Sequence, residues 1–292
     1  MRHPQDIQKD EAAMSTLQEL TNAFEGIASM RIAQIKNQVL QATQFFNELW
    51  AIYSQLRVSP IFGFGRGNAD EQVIDKELFV IITAEGGFSG DIDQKLIKYM
   101  LKSYDADKNE IVVIGHHGAI QLAQRNVSYK KYYKLPKKDQ NINVSPIIRE
   151  VQKYRTTTVF YQQYVSLMVQ DVKRIELSSA VAQKGKQAGD EDTDIISEAN
   201  YIFEPSTYDV VDYLESIMMQ IAISQLILDS KLAQYASRFR AMSASNQRAS
   251  EAKTDLRMEY NRARRGIKDE RLKEIVNSLK KTRKKSRAGA SR

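Results

Sequence analysis

The sequence contains no cysteine, and its three histidines are His3, His116 and His117. The lack of cysteine excludes disulfides, thiol catalysis and thiolate metal sites. So few histidines also argue against a histidine metal site. We therefore expect a protein without a metal centre or a thiol-based redox switch, and we assign it no cofactor.

Long apolar runs are missing as well. No stretch approaches the roughly 20 consecutive apolar residues that cross a bilayer. The amino-terminal sequence MRHPQDIQKDEAA lacks the apolar region of a signal peptide, and its acidic residues do not fit a transit peptide. A protein made and kept in a cytoplasm is expected. With 292 residues, 42% of them hydrophobic and 27% charged, the chain can bury a core in one or two domains.

Acidic residues are scarce only at the carboxyl end. The formal charge of the chain is +7, and residues 257–292 carry 14 Lys/Arg against 4 Asp/Glu, or +10, which leaves −3 for the other 256 residues. Residues 281–292 are predicted to form a solvated basic tail, with an acidic protein surface or nucleic acid as the alternative partners.

The strongest pattern is a long apolar seam in the last third of the chain. Ser206 and Asp209 follow Pro205 and fit a capping box, which predicts a helix over 206–280. A repeat of 3.5 residues held this long is typical of a coiled coil. The seam steps by three and four through Val211, Leu214, Met218, Ile221, Gln225, Leu228, Leu232, Tyr235, Phe239, Met242, Asn246, Ala249, Lys253, Leu256, Tyr260, Ala263 and Ile267.

A second seam predicts a helix over 10–58, paired antiparallel with the first. At 1.5 Å per residue the two helices are roughly 70 and 115 Å long, so the carboxy-terminal one overhangs and something else must cover it. The seam has a stutter near Arg31 and runs through Leu17, Leu20, Phe24, Ile27, Ile35, Val39, Ala42, Phe46, Leu49, Tyr53 and Leu56.

The middle of the chain, residues 76–204, has another period. ELFVIITAE and EIVVIG indicate strands, and GDIDQKLIKYML and GAIQLAQRN indicate helices between and after them. TTTVFYQQYVSLMVQ alternates like one half-buried strand, with Val159, Tyr161, Val165, Leu167 and Val169 on one face. Residues 61–72 and 183–194 are predicted loops. The fold class is therefore α+β, a long antiparallel coiled coil of the terminal helices plus a small α/β, Rossmann-like globular domain.

The segment VIITAEGGFSGDID, residues 80–93, leads from a strand through glycines into a helix, where phosphate binds in many proteins. It matches neither GxxxxGK[ST] nor GxGxxG, and Glu85, Asp91 and Asp93 would repel phosphate. A glycine turn shaped for backbone contact with a neighbouring element is the favoured interpretation. FGFGRG (62–67) is read as a linker, and GHHG (115–118) as surface histidines at a strand end. Nothing in the sequence supports catalysis.

Arg262, Arg264 and Arg265 fall within one helical turn, before Gly266 in a helix interior. The repelling charges and the glycine are both unfavourable there. One interpretation is a solvated basic face. The other is a helix surrounded by protein, where the arginines find acceptors and the missing side chain avoids a clash.

The arrangement resembles the gamma subunit of F-type ATP synthases over nearly the whole chain. LTNAFEGIASMR (20–31) is similar to the amino-terminal signature of that family, and VIITAEGGFSGDID to its strand and glycine loop. NYIFEP (200–205), SRFRAMSAS (237–245) and YNRARRGIKDERLKEIV (260–276) are similar to its carboxy-terminal signature. The chain departs from the family in having Arg31 where Lys is usual, Gly87 for Arg, Arg265 for Gln, and a longer basic extension after Val276.

The resemblance implies a non-catalytic rotor shaft that couples ion-driven rotation to ATP synthesis or hydrolysis. Its partners would be the alpha3-beta3 hexamer, the epsilon subunit and the membrane c-ring, at one copy per complex, with no nucleic acid and no small-molecule substrate of its own. Its location would be peripheral, at the cytoplasmic face of the bacterial plasma membrane. The positions carried over are Arg264, Arg265 and Arg262 for contact with beta subunits, Thr21, Phe24 and Arg31 for the amino-terminal signature, and Tyr201, Phe203 and Glu204 for the foot on the ring.

Two other functions are kept as alternatives. A coiled-coil adaptor would use its basic tail on nucleic acid or an anionic membrane, and would lose its partner when residues 277–292 are deleted. A nucleotide-dependent α/β enzyme flanked by helices would be stabilised against heat by its ligand.

Overall fold

The computed structural model of the chain describes residues 2–55, 74–135, 142–177, 204 and 206–289. The predicted linker at 62–67 and the polar loop at 183–194 lie outside these residues. Within them the chain forms, in order, α1 (Pro4–Gln55), β1 (Ile74–Ile82), α2 (Ile92–Leu101), β2 (Asn109–Ile114), α3 (His116–Gln124), β3 (Lys131–Tyr133), α4 (Ser145–Val151), β4 (Tyr154–Tyr164), β5 (Gln170–Glu176) and α5 (Thr207–Gly289).

The strands form one mixed sheet in the order β3-β2-β1-β4-β5. β1 pairs in parallel with both β2 and β4, β2 pairs in parallel with β3, and β5 is antiparallel to β4. The run Leu78–Ile82 is buried throughout, as expected for a central parallel strand that is covered on both faces. An α/β domain between long amino- and carboxy-terminal helices was predicted and is present, and its five-stranded sheet is mixed.

The two faces of the sheet carry separate hydrophobic cores. Leu78, Val80 and Ile82 of β1 pack in a core with α4, Phe46 of α1 and the stretch of α5 from Met218 to Ile227. The alternate residues Phe79 and Ile81 pack with α2 and α3. Because strand side chains alternate between faces, β1 contributes to both cores, and the sheet lies between α5 and the α2–α3 pair.

One predicted strand is two strands. Val159 and Tyr161 are buried in β4, but the chain turns after Tyr164 and returns as β5. Val165 is 59% exposed and Val169 is 53% exposed, so the prediction that both share the buried face was wrong. The physical reason is a closed turn, in which the N–H groups of Val165 and Ser166 donate to the carbonyl oxygen of Val169. Alternation of residue types continues through such a hairpin and does not report the turn.

The chain divides into two compact units, Met1–Glu25 with Met242–Arg292, and Gly26–Ala241. Each unit contains a stretch of α1 and a stretch of α5. The predicted segments 10–58, 76–204 and 206–280 were drawn at the ends of the helices, whereas this division cuts across both helices.

Helices α1 and α5 pair antiparallel in each unit. In the first unit, Lys253 donates to Ser15 Oγ at 3.0 Å and Asn246 donates to Asn22 Oδ1 at 2.7 Å. The contact residue on α5 is seven positions earlier when the contact residue on α1 is seven positions later, as in an antiparallel pair. In the second unit, Ile32 and Ile35 pack with Leu228, Leu232 and Ala236. The antiparallel pairing predicted from the two seams is thereby confirmed.

The prediction of which face of α1 meets the partner helix was wrong for the amino-terminal half of the seam. Leu17, Leu20, Phe24 and Ile27 are between 37% and 52% exposed, although they were expected to face the partner helix. The buried positions include Ile7, Thr21, Ala28 and Ile35, at multiples of seven residues, and Ile32 four residues after Ala28. Leu20 and Ile27 immediately precede the buried Thr21 and Ala28, and one residue is a rotation of about 100°. The real seam is one continuous heptad that accepts polar residues, so no stutter at Arg31 is needed.

Helix α5 begins as predicted and extends further than predicted. Asp209 N–H donates to Ser206 Oγ at 3.2 Å, which confirms Ser206 as the cap of the helix, and Ser206 Oγ donates to Asp209 Oδ2 at 2.6 Å. The helix runs to Gly289, into the segment predicted as a basic tail, and residues 268–281 are all exposed. In the described part of the chain, no helix is long and apolar enough to cross a membrane.

Candidate functional site

The turn between β1 and α2 is supported by Thr83. Its Oγ1 lies 3.1 Å from the carbonyl oxygens of Ile114 and Gly115 and accepts the N–H of Gly118 at 3.0 Å. Gly115 has φ +100°, and a Cβ built on it would lie 2.1 Å from the carbonyl oxygen of Thr83. The backbone after β2 therefore approaches the backbone after β1 so closely that position 115 admits only glycine.

The glycine turn contacts helix α5 and not a vacant crevice. Ser237 Oγ donates to the carbonyl oxygen of Ser89 at 2.7 Å. The Arg238 guanidinium donates to the carbonyl oxygens of Gly87 at 3.3 Å and Gly86 at 3.5 Å. The turn presents carbonyl oxygens to a cation, whereas a phosphate cradle presents N–H groups to an anion. The expectation that the turn is shaped for a neighbouring element is confirmed.

The sheet topology explains why α5 occupies this place. Strands β2 and β3 lie on one side of β1, and the chain then crosses to β4 on the other side. Ligands of open α/β sheets bind at the carboxyl ends of the strands where the order reverses, here between β1 and β4. At that crevice Ser230 and Gln234 of α5 reach Gln162 near the end of β4. The chain itself fills the position that a nucleotide takes in such enzymes.

Asp93, in the first turn of α2, is the buried charge at this edge of the sheet. Its side chain is 1% exposed. One carboxylate oxygen accepts from Gln162 Nε2 at 2.7 Å, the other lies 2.6 Å from His117 Nδ1, and both lie 3.3 Å from the N–H of Ala84. Asp93 was predicted to repel phosphate at the turn, but its charge is directed into the protein and is satisfied there by three N–H donors.

The two adjacent histidines are not both surface residues at a strand end, so that prediction was wrong. They open helix α3, and neighbouring residues on a helix point in directions about 100° apart. His117 turns inward to Asp93, whereas His116 is exposed and its N–H donates to Glu85 Oε2 at 3.2 Å. The hydrogen bond that His117 donates to Asp93 raises the pKa of His117 above the usual histidine value, although partial burial opposes the shift.

We expect the His117–Asp93 contact to make stability depend on pH. Because the folded-state pKa of His117 is raised, its contribution is complete below the unfolded value of about 6.5 and is lost as pH rises through the folded value. The variant His117→Gln has no proton to exchange in this range. The free energy of unfolding of the wild type, minus that of the variant, should therefore fall as pH rises through the folded-state value, measured by urea denaturation at a series of pH values.

The matched control is His116→Gln, which changes the neighbouring imidazole and leaves the contact between His117 and Asp93 intact. It should follow the wild-type pH dependence. A constant difference between wild type and His117→Gln at every pH would contradict the expectation.

The predicted beta-subunit contacts lie on the exposed part of α5. Arg262, Arg264 and Arg265 are all exposed, and Ala263 between them is buried. Arg265 Nε donates to the carbonyl oxygen of Asn261 at 3.4 Å. The assignment of these arginines to a partner surface stays a prediction, and their exposure is what such a surface requires.

The other carried-over residues have varied surroundings. Thr21 is buried and its hydroxyl bonds to the carbonyl oxygens of Leu17 and Gln18, Phe24 is 37% exposed, and half-buried Arg31 donates to Gln34. Of the foot residues, Glu204 is exposed, and Tyr201 and Phe203 lie outside the described residues.

Sequence reasoning missed the polar group around Gln162. Its members come from β4 and α5, about 70 residues apart in the chain, and no motif joins them. The only available signal was in SRFRAMSAS, whose first two residues are Ser237 and Arg238 at the glycine turn. Among the described residues, no group of three His, Cys, Asp or Glu side chains is placed to hold a metal.

The geometry of the crevice indicates a structural protein and not an enzyme with a ligand at this place. A long helix fills the crevice of an α/β sheet, and its far end is exposed. The described residues therefore assemble a structural attachment for a helix, in the place where an enzyme of this architecture has its ligand.

The chain is similar to known proteins of one family. A protein-family model described as ATP synthase matches residues 4–280. The ATP synthase gamma chain of Chlorobium phaeobacteroides is 25% identical, over 93% of this chain and 95% of the relative, and that of Cytophaga hutchinsonii is 21% identical, over 91% and 94%. The central stalk structure of Tetrahymena thermophila mitochondrial ATP synthase has a TM-score of 0.55 at 15% identity, covering 77% of this chain and 98% of that chain.

The chain belongs to the ATP synthase family, and within it to the gamma chains. A gamma chain is a non-catalytic subunit, so the protein is not itself an enzyme. A structure of the OSCP, F1 and c-ring of Euglena gracilis mitochondrial ATP synthase is also similar, with a TM-score of 0.53 at 12% identity over 92% of this chain and 94% of that chain.

Proposed function

We propose that the chain is the central-stalk rotor of an F-type ATP synthase. In this role it couples ion-driven rotation of a membrane ring to ATP synthesis or hydrolysis in a hexamer of three alpha and three beta subunits. ATP stays in the alpha and beta subunits, because the crevice of this chain is filled by its own helix. One copy serves the complex, and its location is peripheral, at the cytoplasmic face of the bacterial plasma membrane.

The observation that carries this proposal is the exposure of the far end of α5. Residues 268–281 are exposed on every side. They include Leu272, Ile275, Val276 and Leu279, each between 46% and 63% exposed and spaced as one face of a helix. An isolated helix with an uncovered apolar face is marginal in water. A ring of protein around the shaft would cover it.

Rotation would act through contacts that differ around the shaft. In the first unit α1 presents Leu17, Leu20 and Phe24, whereas α5 presents Arg262, Arg264 and Arg265. Each beta subunit would meet a different side as the shaft turns, and the difference in contact energy would favour a different nucleotide-site conformation. Glu204, with Tyr201 and Phe203, is proposed to form the foot on the ring beside the epsilon subunit.

The experiment is to tag this subunit in its own cells and purify it gently from detergent-solubilised membranes. The native mass and composition of the recovered assembly are then recorded. We expect three alpha and three beta chains for each copy of this chain. Recovery of the chain alone, from membranes that hold an intact ATPase with a different shaft, would reject the proposal.

A matched variant tests the adaptor alternative. Deletion of residues 277–292 removes the basic extension after Val276 and keeps Arg262, Arg264 and Arg265. The rotor proposal expects the shortened chain still to be recovered with alpha and beta chains. An adaptor that binds nucleic acid or membrane through its tail would lose its partner on the same deletion. Binding of the full-length chain to that partner would weaken steeply with rising salt concentration.

A further inference from the structure

Gln162 joins the α/β sheet to helix α5 through a chain of hydrogen bonds that the proposed function does not yet use. Its side chain is fully buried. On one side its Nε2 donates to Asp93 Oδ1 at 2.7 Å. On the other side its Oε1 accepts from Gln234 Nε2 at 3.2 Å and from Ser230 Oγ. We name the series Ser230/Gln234–Gln162–Asp93–His117 the polar relay.

The direction of the polar relay is set by the charge of Asp93. A carboxylate only accepts hydrogen bonds, so the amide nitrogen of Gln162 must face Asp93. Its oxygen must then face α5, where the two donors of Ser230 and Gln234 lie one helical turn apart. A rotation of the amide would bring its oxygen against the carboxylate and its nitrogen against two donors. The relay therefore holds α5 in one rotational setting against the sheet.

The outer end of the polar relay is His117. Its ring is 31% exposed, with Nδ1 on Asp93 and Nε2 at 3.3 Å from Gln121 Nε2. Arg125 donates to Gln121 Oε1 at 3.4 Å, which leaves the Gln121 amide nitrogen for the imidazole. The other charged groups nearby are engaged elsewhere. Glu85 accepts from the N–H groups of His116 and Leu135, and Arg238 of α5 contacts the glycine turn.

We propose that Gln162 is a positioning residue that locks α5 to the α/β sheet, so that turning force passes between them through the polar relay. Apolar packing between α5 and the sheet resists separation but has little directional preference. The relay adds direction, because hydrogen bonds weaken steeply when the donor and acceptor rotate out of line. The proposal rests on the rotor function proposed above.

The test compares Gln162→Met with the wild type, because methionine keeps the length of the side chain and removes all three of its hydrogen bonds. The control is Thr43→Val, which removes the contact of Gln225 Nε2 with Thr43 Oγ1 at 3.3 Å between α1 and α5. Two quantities are measured on the full chain and on the purified complex. They are hydrogen exchange of residues 228–241 and the number of ions pumped per ATP hydrolysed.

We expect Gln162→Met to raise exchange in residues 228–241 by about tenfold or more, the size expected when buried polar groups lose their partners. The ratio of ions pumped to ATP hydrolysed should fall at least about twofold, while Thr43→Val keeps it. If Gln162→Met does not fold, Ser230→Ala removes one donor and should shift both quantities in the same direction.

The outcomes separate this proposal from the rotor function. If the wild type is not recovered with alpha and beta chains, the rotor function fails and this proposal fails with it. If the complex assembles and Gln162→Met leaves the ratio of ions pumped to ATP hydrolysed unchanged, turning force does not pass between α5 and the sheet through the polar relay. Faster exchange with an unchanged ratio would also overturn the proposal, because the relay would then hold the fold without passing force.

Discussion

The substitution Gly115→Ala is expected to lower the free energy of unfolding by about 4 kcal/mol or more. Its Cβ would lie 2.1 Å from the carbonyl oxygen and 2.8 Å from the Oγ1 of Thr83, and the residue has φ +100°. The carbonyl oxygen and the carbonyl carbon of Thr83, the latter at 2.7 Å, are backbone atoms, so the backbone after β1 or β2 would have to move. Both strands are buried, and that movement would disturb both cores.

Denaturant unfolding followed by circular dichroism checks this result, and Gly87→Ala is the control. Gly87 lies in the adjacent turn, and a Cβ on it would meet no atom within 4 Å. That substitution should change the free energy of unfolding by no more than about 1 kcal/mol in either direction. Equal unfolding midpoints for the two variants would contradict the close approach of the two backbones at Thr83.

The second large effect is expected from the double substitution Arg264→Glu with Arg265→Glu in the assembled complex. Both side chains are exposed, so the stability of the isolated chain should change by only about 0.5 kcal/mol. Against acceptors on beta subunits, reversed charges would cost several kcal/mol, because like charges would then be juxtaposed across the interface. We expect ATP hydrolysis or assembly to fall at least about tenfold.

The measurement is ATP hydrolysis by the purified complex together with its subunit composition. The matched control is Lys98→Glu with Lys102→Glu, which makes the same change of charge on exposed positions at the α/β sheet. This control should retain hydrolysis and composition. Loss of activity in both double variants would indicate a general effect of charge, and normal activity in the arginine variant would remove those arginines from the partner surface.

Much of the fold was predictable because its signals are local. The run from Leu78 to Ile82 reads as a buried strand, and Ser206 with Asp209 marks the beginning of α5. The hairpin between β4 and β5 was not predictable, because alternation is the same on both sides of the turn at Ser166. The face of α1 at Leu20 was also wrong, since counting apolar residues does not reveal which of two adjacent stripes meets the partner helix.

The candidate site was also predictable only in part. The chemistry of the glycine turn argued against a nucleotide from the sequence alone, because Glu85 and Asp91 oppose phosphate and the turn has no lysine at the position that a P-loop requires. What fills the crevice could not be predicted. Gln162 and Ser230 are ordinary polar residues in the sequence, and their hydrogen bond forms only because the fold places β4 next to α5.

The sequence by itself determined the class of protein, the two long helices, the buried strands β1 and β2 and the family. Periodicity, capping and strand composition are properties of neighbouring residues, and the family signatures are read directly. Only the tertiary structure decided that Asp93 is buried against His117 and Gln162, that α5 fills the crevice, and which stripe of α1 is exposed. These depend on packing between distant segments, and the burial of a charge or an apolar side chain is settled by what covers it.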